Sequence, residues 1–260
     1  MAGSSVRIFA LPGADFTCPK ELLYVGGGEE LLTVPAPAFL IEHPRGLVLF
    51  DTGSHPKVAE DPVAWWGAGA TLFRLRMRRE DAVDYQLRGL GYQLEDVKYV
   101  VISHLHMDHT GGMYMFPNAK FFIGAGELPN AYWPKQYVRS VFCLNDLLPT
   151  RGFDWVELDR DTDLFGDGKL RMLVTPGHTP GNSALVVDLP NRPVILAGDT
   201  VQINETFDAL APMPLDHDTA AAVQSVVRLK ALRDATDARV WPSHDPVCWA
   251  EFPHGPTPVE

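Results

Sequence analysis

Four metal-capable side chains, His104, His106, Asp108 and His109, crowd into one short part of the segment VKYVVISHLHMDHTGG that spans residues 97–112. An apolar run ends at Ser103, and the four follow directly. His104 and His106 are two apart, so in an extended segment they project to the same side. Met107 and Asp108 then turn the chain, and Asp108 and His109 can face a second position a few ångströms away. Imidazole nitrogen and carboxylate oxygen suit Zn2+, and to a lesser degree Fe or Mn. Neighbouring ligand pairs aimed at adjacent points are what a two-metal site needs. One cluster cannot fill two coordination shells, so the rest of the chain must supply more.

It does so in three places, each just past a short apolar run. Leu170–Val174 leads into Thr175-Pro176-Gly177-His178-Thr179-Pro180-Gly181. Pro193–Ala197 leads into Gly198-Asp199-Thr200, and Arg239–Trp241 into Pro242-Ser243-His244-Asp245. Buried strands with chemistry at their C-terminal ends would gather these tips on one edge of a sheet. Five histidines and two aspartates are enough for two metals, with one shared carboxylate and an open position for water. His178 and His244 are weak signals alone and gain weight as members of the ordered set.

HLHMDH followed by Pro-Gly-His178, Gly-Asp199 and Ser-His244 resembles the metallo-β-lactamase superfamily, over nearly the whole chain. Within it, PAPAFLIEHPRGLVLFDTG, ending at Gly53, together with SHLHMDHTGG, is most similar to the N-acyl-homoserine lactone lactonases. The resemblance implies an αββα sandwich, with residues 1–260 as a single domain. It implies that His104, His106 and His178 hold one metal, that Asp108, His109 and His244 hold the other, and that Asp199 bridges them. Two divalent ions, Zn2+ first, lower the pKa of a shared water toward ~7 and so provide hydroxide at neutral pH. The implied reaction opens a lactone ring, with Asp108 passing a proton to the leaving oxygen.

One position departs from the lactonase pattern. Where those enzymes carry a tyrosine three residues after the bridging aspartate, this chain has Gln202. An amide can donate a hydrogen bond but cannot give up a proton, so Gln202 is a candidate substrate contact rather than an acid. Met107 stands where the family often has an aromatic residue facing the acyl chain, and a thioether there would fit an apolar tail or pack the core. Trp66, beside Trp65 and the small residues Gly67 to Ala70, would line a substrate channel or pack that segment onto the body.

Other chemistries share the seven-ligand set. A thioesterase of the glyoxalase II kind would need a basic C-terminal helical region, and only ~16 residues follow His244, too few for a domain. A true β-lactamase would carry cysteine in place of Asp199, and an oxygen-reducing diiron protein a glutamate in place of His106. Hydrolysis of another ester or a phosphotriester stays open, because the pocket decides which centre is attacked. A non-catalytic metal-binding protein is disfavoured because all seven ligands are retained.

Composition narrows the partners. The 260 residues are 46% hydrophobic, enough for one large core or two fused halves. Lysine and arginine number 22 against 33 acids, a formal charge of -11 that argues against a nucleic-acid partner. The one basic cluster, Arg74 to Arg79, is expected on an exposed helix face. No secretory signal and no membrane-spanning run is visible. Cys18, Cys143 and Cys248 have no metal-binding or redox spacing and are expected to be buried, reduced thiols. A cytoplasmic protein acting on a small-molecule lactone is the expectation, and the resemblance allows a homodimer.

The elements that must position the ligands follow from periodicity. Val6–Ala10 is expected as a first strand, and residues 11–33 as a loop-rich flap or contact surface. Ala36–Ile41 and Gly46–Phe50 form a hairpin ending in Asp51-Thr52-Gly53, where Asp51 either caps a turn or supports a ligand histidine. A helix over Glu80–Leu90 stops at Gly91. Strands are expected at Val97–Ser103, Ala119–Ile123, Asp154–Leu158, Leu170–Val174, Ser183–Val187, Pro193–Ala197 and Arg239–Trp241. Glu127–Trp133 is a short helical stretch, and residues 135–151 have no clear period. Asp218-Thr219 caps a helix from Ala220 to about Ala235 that buries Val223, Val226, Val227 and Leu232. Gly111 and Gly112 would let the backbone pass close beneath the metals.

Overall fold

The computed structural model describes residues 5–260. Strands β1 (Arg7–Pro19), β2 (Leu31–His43), β3 (Gly46–Phe50), β4 (Arg74–Arg76), β5 (Val97–Val101), β6 (Lys120–Gly124) and β7 (Asp154–Leu158) form one sheet in the order β4-β1-β2-β3-β5-β6-β7. Strands β8 (Thr162–Asp163), β9 (Leu170–Val174), β10 (Ser183–Val187), β11 (Val194–Leu196) and β12 (Arg239–Trp241) form the second, in the order β12-β11-β10-β9-β8. Strand alternation explains the packing. Phe39 and Ile41 of β2 and Val48 and Phe50 of β3 point to the space between the sheets, where they meet Met172, Leu185, Leu196 and Trp241. Leu40 and Leu49 point the other way, onto the helix Val83–Gly89. The outer face of the second sheet is covered by the helix Thr219–Thr236 through Val226 and Leu229. The result is the αββα sandwich.

Several expected boundaries shift. Of residues 11–33, 11–19 continue β1 and 31–33 open β2 rather than forming a flap, because the Pro12-Gly13 interruption is absorbed as a register shift between Leu11 and Ala14 against β2. Arg74–Arg76 is an edge strand pairing with Asp15–Thr17, not a helix face. Its Arg-Leu-Arg alternation has a period of two, which turns Leu75 inward and both arginines out. In the helix Thr219–Thr236 the buried positions are Ala222, Ser225, Val226 and Leu229, spaced at i, i+3, i+4 and i+7, while Val227 is 46% exposed. The Asp218 cap is present, its carboxylate accepting from the N–H groups of Ala220 and Ala221. Residues 135–151 form short helical turns, among them Leu144–Leu147. The three cysteines are free and buried. No helix of the described residues is long and apolar enough to cross a membrane.

The segments that carry Trp65 and Asp146 are joined through a buried acid. Asp146 accepts a hydrogen bond from Trp65 Nε1 at 2.8 Å, and burial pushes its carboxyl up to about 7 against an ordinary value of 3.8. The folded state thus retains a proton that the unfolded chain has already lost between these values. Stability from this group rises as pH falls from 7 toward 4, and above 7 the buried carboxylate is a cost. Asp146→Asn keeps an oxygen for Trp65 and removes the charge. It is expected to raise the melting temperature at pH 8, with a ceiling of about 4 kcal/mol, and to lose most of that gain by pH 5. Equal melting curves at the two pH values for wild type and variant would contradict this account.

Candidate metal centre

All seven ligand candidates lie where the strand ends converge. His104 to His109 follow β5, His178 follows β9, Asp199 follows β11 and His244 follows β12. They divide into two groups, one of His104, His106, His178 and Asp199, the other of Asp108, His109 and His244. Asp199 straddles them. Its Oδ2 lies 3.8 Å from His104 Nε2 and 3.5 Å from His178 Nε2, and its Oδ1 lies 3.3 Å from His109 Nε2 and 3.4 Å from His244 Nε2. Asp108 Oδ2 completes the second group at 3.4 Å from His109 and 3.6 Å from His244. His106 Nδ1 and His178 Nε2 are 3.0 Å apart. Ligand atoms about 2.1 Å from a tetrahedral ion sit about 3.4 Å from one another, so the spacing fits a cation in each group. The buried atoms His104 Nε2, His109 Nε2 and Asp199 Oδ1 have no hydrogen-bond partner, which fits atoms placed to face a cation.

The opposite ring nitrogens are held by other residues. Asp51 Oδ2 is 2.8 Å from His109 Nδ1, and its Oδ1 accepts from the Ser103 N–H. Ser103 Oγ donates to Asp51 Oδ2 and is left to accept from His104 Nδ1 at 3.0 Å. His178 Nδ1 lies 3.0 Å from Asp216 Oδ1, and His244 Nδ1 lies 2.7 Å from the Pro35 carbonyl. Each contact fixes the proton on Nδ1 and leaves Nε2 free to ligate. Asp51 does so from a left-handed backbone conformation, φ +58, which an aspartate adopts at a cost of about 1 kcal/mol. Of its two sequence readings, support of a ligand histidine is the one its contacts match. Ser103 and Asp216 had no comparable motif: the support for His178 comes from 38 residues downstream, and only the fold brings it near.

Burial and neighbouring imidazoles hold His104 and His106 well below the usual imidazole range, in the neutral form that binds metal. For His109, burial works against charge, but Asp108, Asp199 and Asp51 override it and hold the ring well above that range, so a cation bound there would displace the Nε2 proton. Burial would likewise raise Asp199, but His244, His109 and His104 pull it well below the carboxylate norm. Gly111 has a different role from the one expected. A Cβ there would collide with the backbone of Ser54 and His55, so its smallness serves the contact with the segment after Asp51.

The groups open onto a cleft whose walls include Phe16, Leu23, Val34, Phe73, Val141 and Leu215. Its mostly apolar lining suits the hydrocarbon part of a small molecule. Asp108 is the one ligand not fully buried, with 17% of its side chain exposed. Met107, packed in the buried cluster that contains Phe16 and Trp66, also borders the cavity. Gln202 lines it too, but its Nε2 donates to Asp199 Oδ2 at 2.9 Å, so this amide serves the carboxylate first. Trp66 is outside the lining; it stacks on Phe16 at 5.9 Å and backs the wall without forming it.

A sequence model of the metallo-beta-lactamase superfamily matches residues 32–244. The chain belongs to this superfamily. Among relatives, N-acyl homoserine lactonase AttM of Agrobacterium fabrum is 32% identical over 259 residues, covering 97% of this chain and 98% of that protein. An N-acyl homoserine lactonase of Bacillus cereus is 29% identical over 217 residues, 83% of each. An N-acyl homoserine lactone hydrolase solved with the product N-hexanoyl-L-homoserine bound at its catalytic metal centre superposes with a TM-score of 0.86. That match has 22% identity and covers 99% of this chain and 100% of the other. AidC, a dizinc quorum-quenching lactonase, superposes at 0.71 with 18% identity, over 95% and 90% of the two chains. These likenesses in structure carry the same superfamily fold.

Asp51 offers a test of the ligand support. Asp51→Asn should weaken zinc binding by roughly 10- to 100-fold at a position that Asp108, His109 and His244 would hold, read as zinc affinity by competition with a chelator. Zinc affinity unchanged from wild type in the variant would remove Asp51 from the site's support.

Proposed function

We propose that the protein hydrolyses lactones, N-acyl homoserine lactones first, with two divalent ions, Zn2+ by choice, held by the two ligand groups. The observation that carries this reading is the placement of Asp199, one oxygen toward each group, at an apolar cavity. Its fit to the lactonase relatives, which align along nearly the full length of the chain, supports the substrate class. Bound there, a cation pair would supply a nucleophilic water at neutral pH and polarise the substrate carbonyl.

The residues do the rest. Asp199 fixes the separation of the two positions, and the Gln202 amide fixes one of its oxygens. Asp108, partly open to the cavity, is placed to hand a proton to the oxygen that leaves the carbonyl carbon. Phe16, Phe73, Val34 and Leu215 take the hydrocarbon part of the substrate and exclude water from around the ester. Met107 joins that surface, with Trp66 bracing Phe16 from behind. The reading places this activity on the whole chain as one domain, and its buried, unpaired thiols are compatible with the cytoplasm.

The test is an indicator assay of proton release by zinc-loaded protein. N-acyl homoserine lactones of short and long chain are run beside simple γ- and δ-lactones, a thioester and a phosphotriester. Highest kcat/KM on the homoserine lactones is expected. Turnover confined to the thioester or the phosphotriester would retain the metal centre and overturn the substrate.

A further inference from the structure

Glu127 takes no part in the chemistry above, yet its carboxylate is wholly buried beside the ligands. It opens the short helix Glu127–Tyr132, just past the end of β6. Its Oε2 accepts from the Leu105 N–H at 3.2 Å, and its Oε1 accepts from the Gly181 N–H at 2.8 Å. Leu105 lies between His104 and His106, and Gly181 closes the turn that carries His178. One carboxylate therefore bonds both segments that deliver the three histidines of the first group. Neither segment belongs to a strand, so neither inherits its place from a sheet ladder.

The backbone contact at the same corner is independent evidence of a set spacing. A Cβ on Gly124 would collide with the Gly181 carbonyl, and a Cβ on Gly181 would collide with the Gly124 carbonyl. The β6 corner thus meets the His178 turn with no side chain between them, and Glu127 reaches past that contact to the other loop. A buried carboxyl is costly unless bonded, and here its bonds run to the ligand-bearing segments. The second group is supported from elsewhere, His109 by Asp51 and His244 by the Pro35 carbonyl.

We infer that Glu127 is a positioning residue for one metal position only: it sets the distance between the His104–His106 loop and the His178 turn, and with it the affinity for the ion those histidines hold. The inference rests on the division into two positions proposed above. It does not depend on which substrate is hydrolysed.

Glu127→Gln keeps the shape but turns one accepting oxygen into an NH2 group that opposes a backbone N–H. With zinc alone as the probe and a chromogenic chelator as competitor, the wild-type protein is expected to hold two ions. The Gln variant should hold one at wild-type affinity and the other weakened by roughly 10- to 100-fold. In a His244→Ala background the same substitution should weaken the remaining ion by the same factor. In a His178→Ala background, already damaged at the affected position, it should change the remaining affinity less than threefold. A merely structural role would lower the melting temperature of the metal-free protein without separating the two affinities, and that result overturns the inference. So does an equal effect in both backgrounds. If the Gln variant is not recovered folded, Glu127→Asp, with its carboxylate withdrawn by one methylene, is read by the same criteria. A wild-type protein that binds a single ion would sink the two-position reading together with this inference, and it would do so before any variant is made.

Discussion

Asp199→Ala should lower kcat/KM for lactone hydrolysis by at least about a thousandfold, a loss of about 4 kcal/mol in transition-state stabilisation. Asp199 is the residue whose two oxygens face different ligand groups, at 3.5 Å from His178 on one side and 3.3 Å from His109 on the other. Removing it takes a ligand from both positions and the anion that offsets the surrounding imidazoles. Left without it, His109, His244 and His104 lose a carboxylate in contact with all three. Zinc content should therefore fall together with activity, and excess zinc should restore neither fully. A variant with two tightly held ions and activity within tenfold of wild type would show that the carboxylate is not shared.

Asp108→Asn should behave differently, because an asparagine oxygen still faces His109 and His244 while the transferable proton is gone. General acid catalysis is worth roughly 10²- to 10⁴-fold, and that is the expected loss on a lactone, whose leaving alkoxide is a poor leaving group. On an aryl ester, whose phenolate departs without a proton, the loss should be tenfold or less. Burial would raise the Asp108 carboxyl, but His109 and His244 outweigh it and hold it below its ordinary range. Asp108 must therefore pick up its proton during the reaction, not bring one to it. Parallel losses on both substrates, with metal content falling in step, would assign Asp108 to ligation alone.

The candidate ligands were legible because their chemistry is local. HLHMDH needs no fold to be suspicious, and His178, Asp199 and His244 each follow a short apolar run that became β9, β11 or β12 with ends within a residue of those expected. What supports the ligands was mostly hidden. Asp216 and Glu127 are ordinary acids in the sequence, and each acquires its role through a partner brought close by tertiary packing. The Pro35 carbonyl that orients His244 has no side-chain signature at all. The edge strand Arg74–Arg76 was masked by its charge, which the sheet tolerates because the arginines face solvent. Val227 shows the limit of reading a helical stripe by hydrophobicity alone: Ser225, which donates to the Pro176 carbonyl, took a buried place beside Val226. Trp66 carried an attractive composition, yet the ring that lines the cavity is Phe16, and Trp66 stacks behind it.

The central claim is that this centre opens a lactone ring by attack of water at the carbonyl carbon. It is tested most directly by incubating zinc-loaded protein with N-hexanoyl homoserine lactone in water enriched in heavy oxygen and locating the label by mass spectrometry. The expected result is one heavy oxygen in the carboxylate of the product, at a rate that vanishes on metal removal and returns with zinc. Label in the alcohol oxygen, or an unopened ring with two ions bound, would contradict the account.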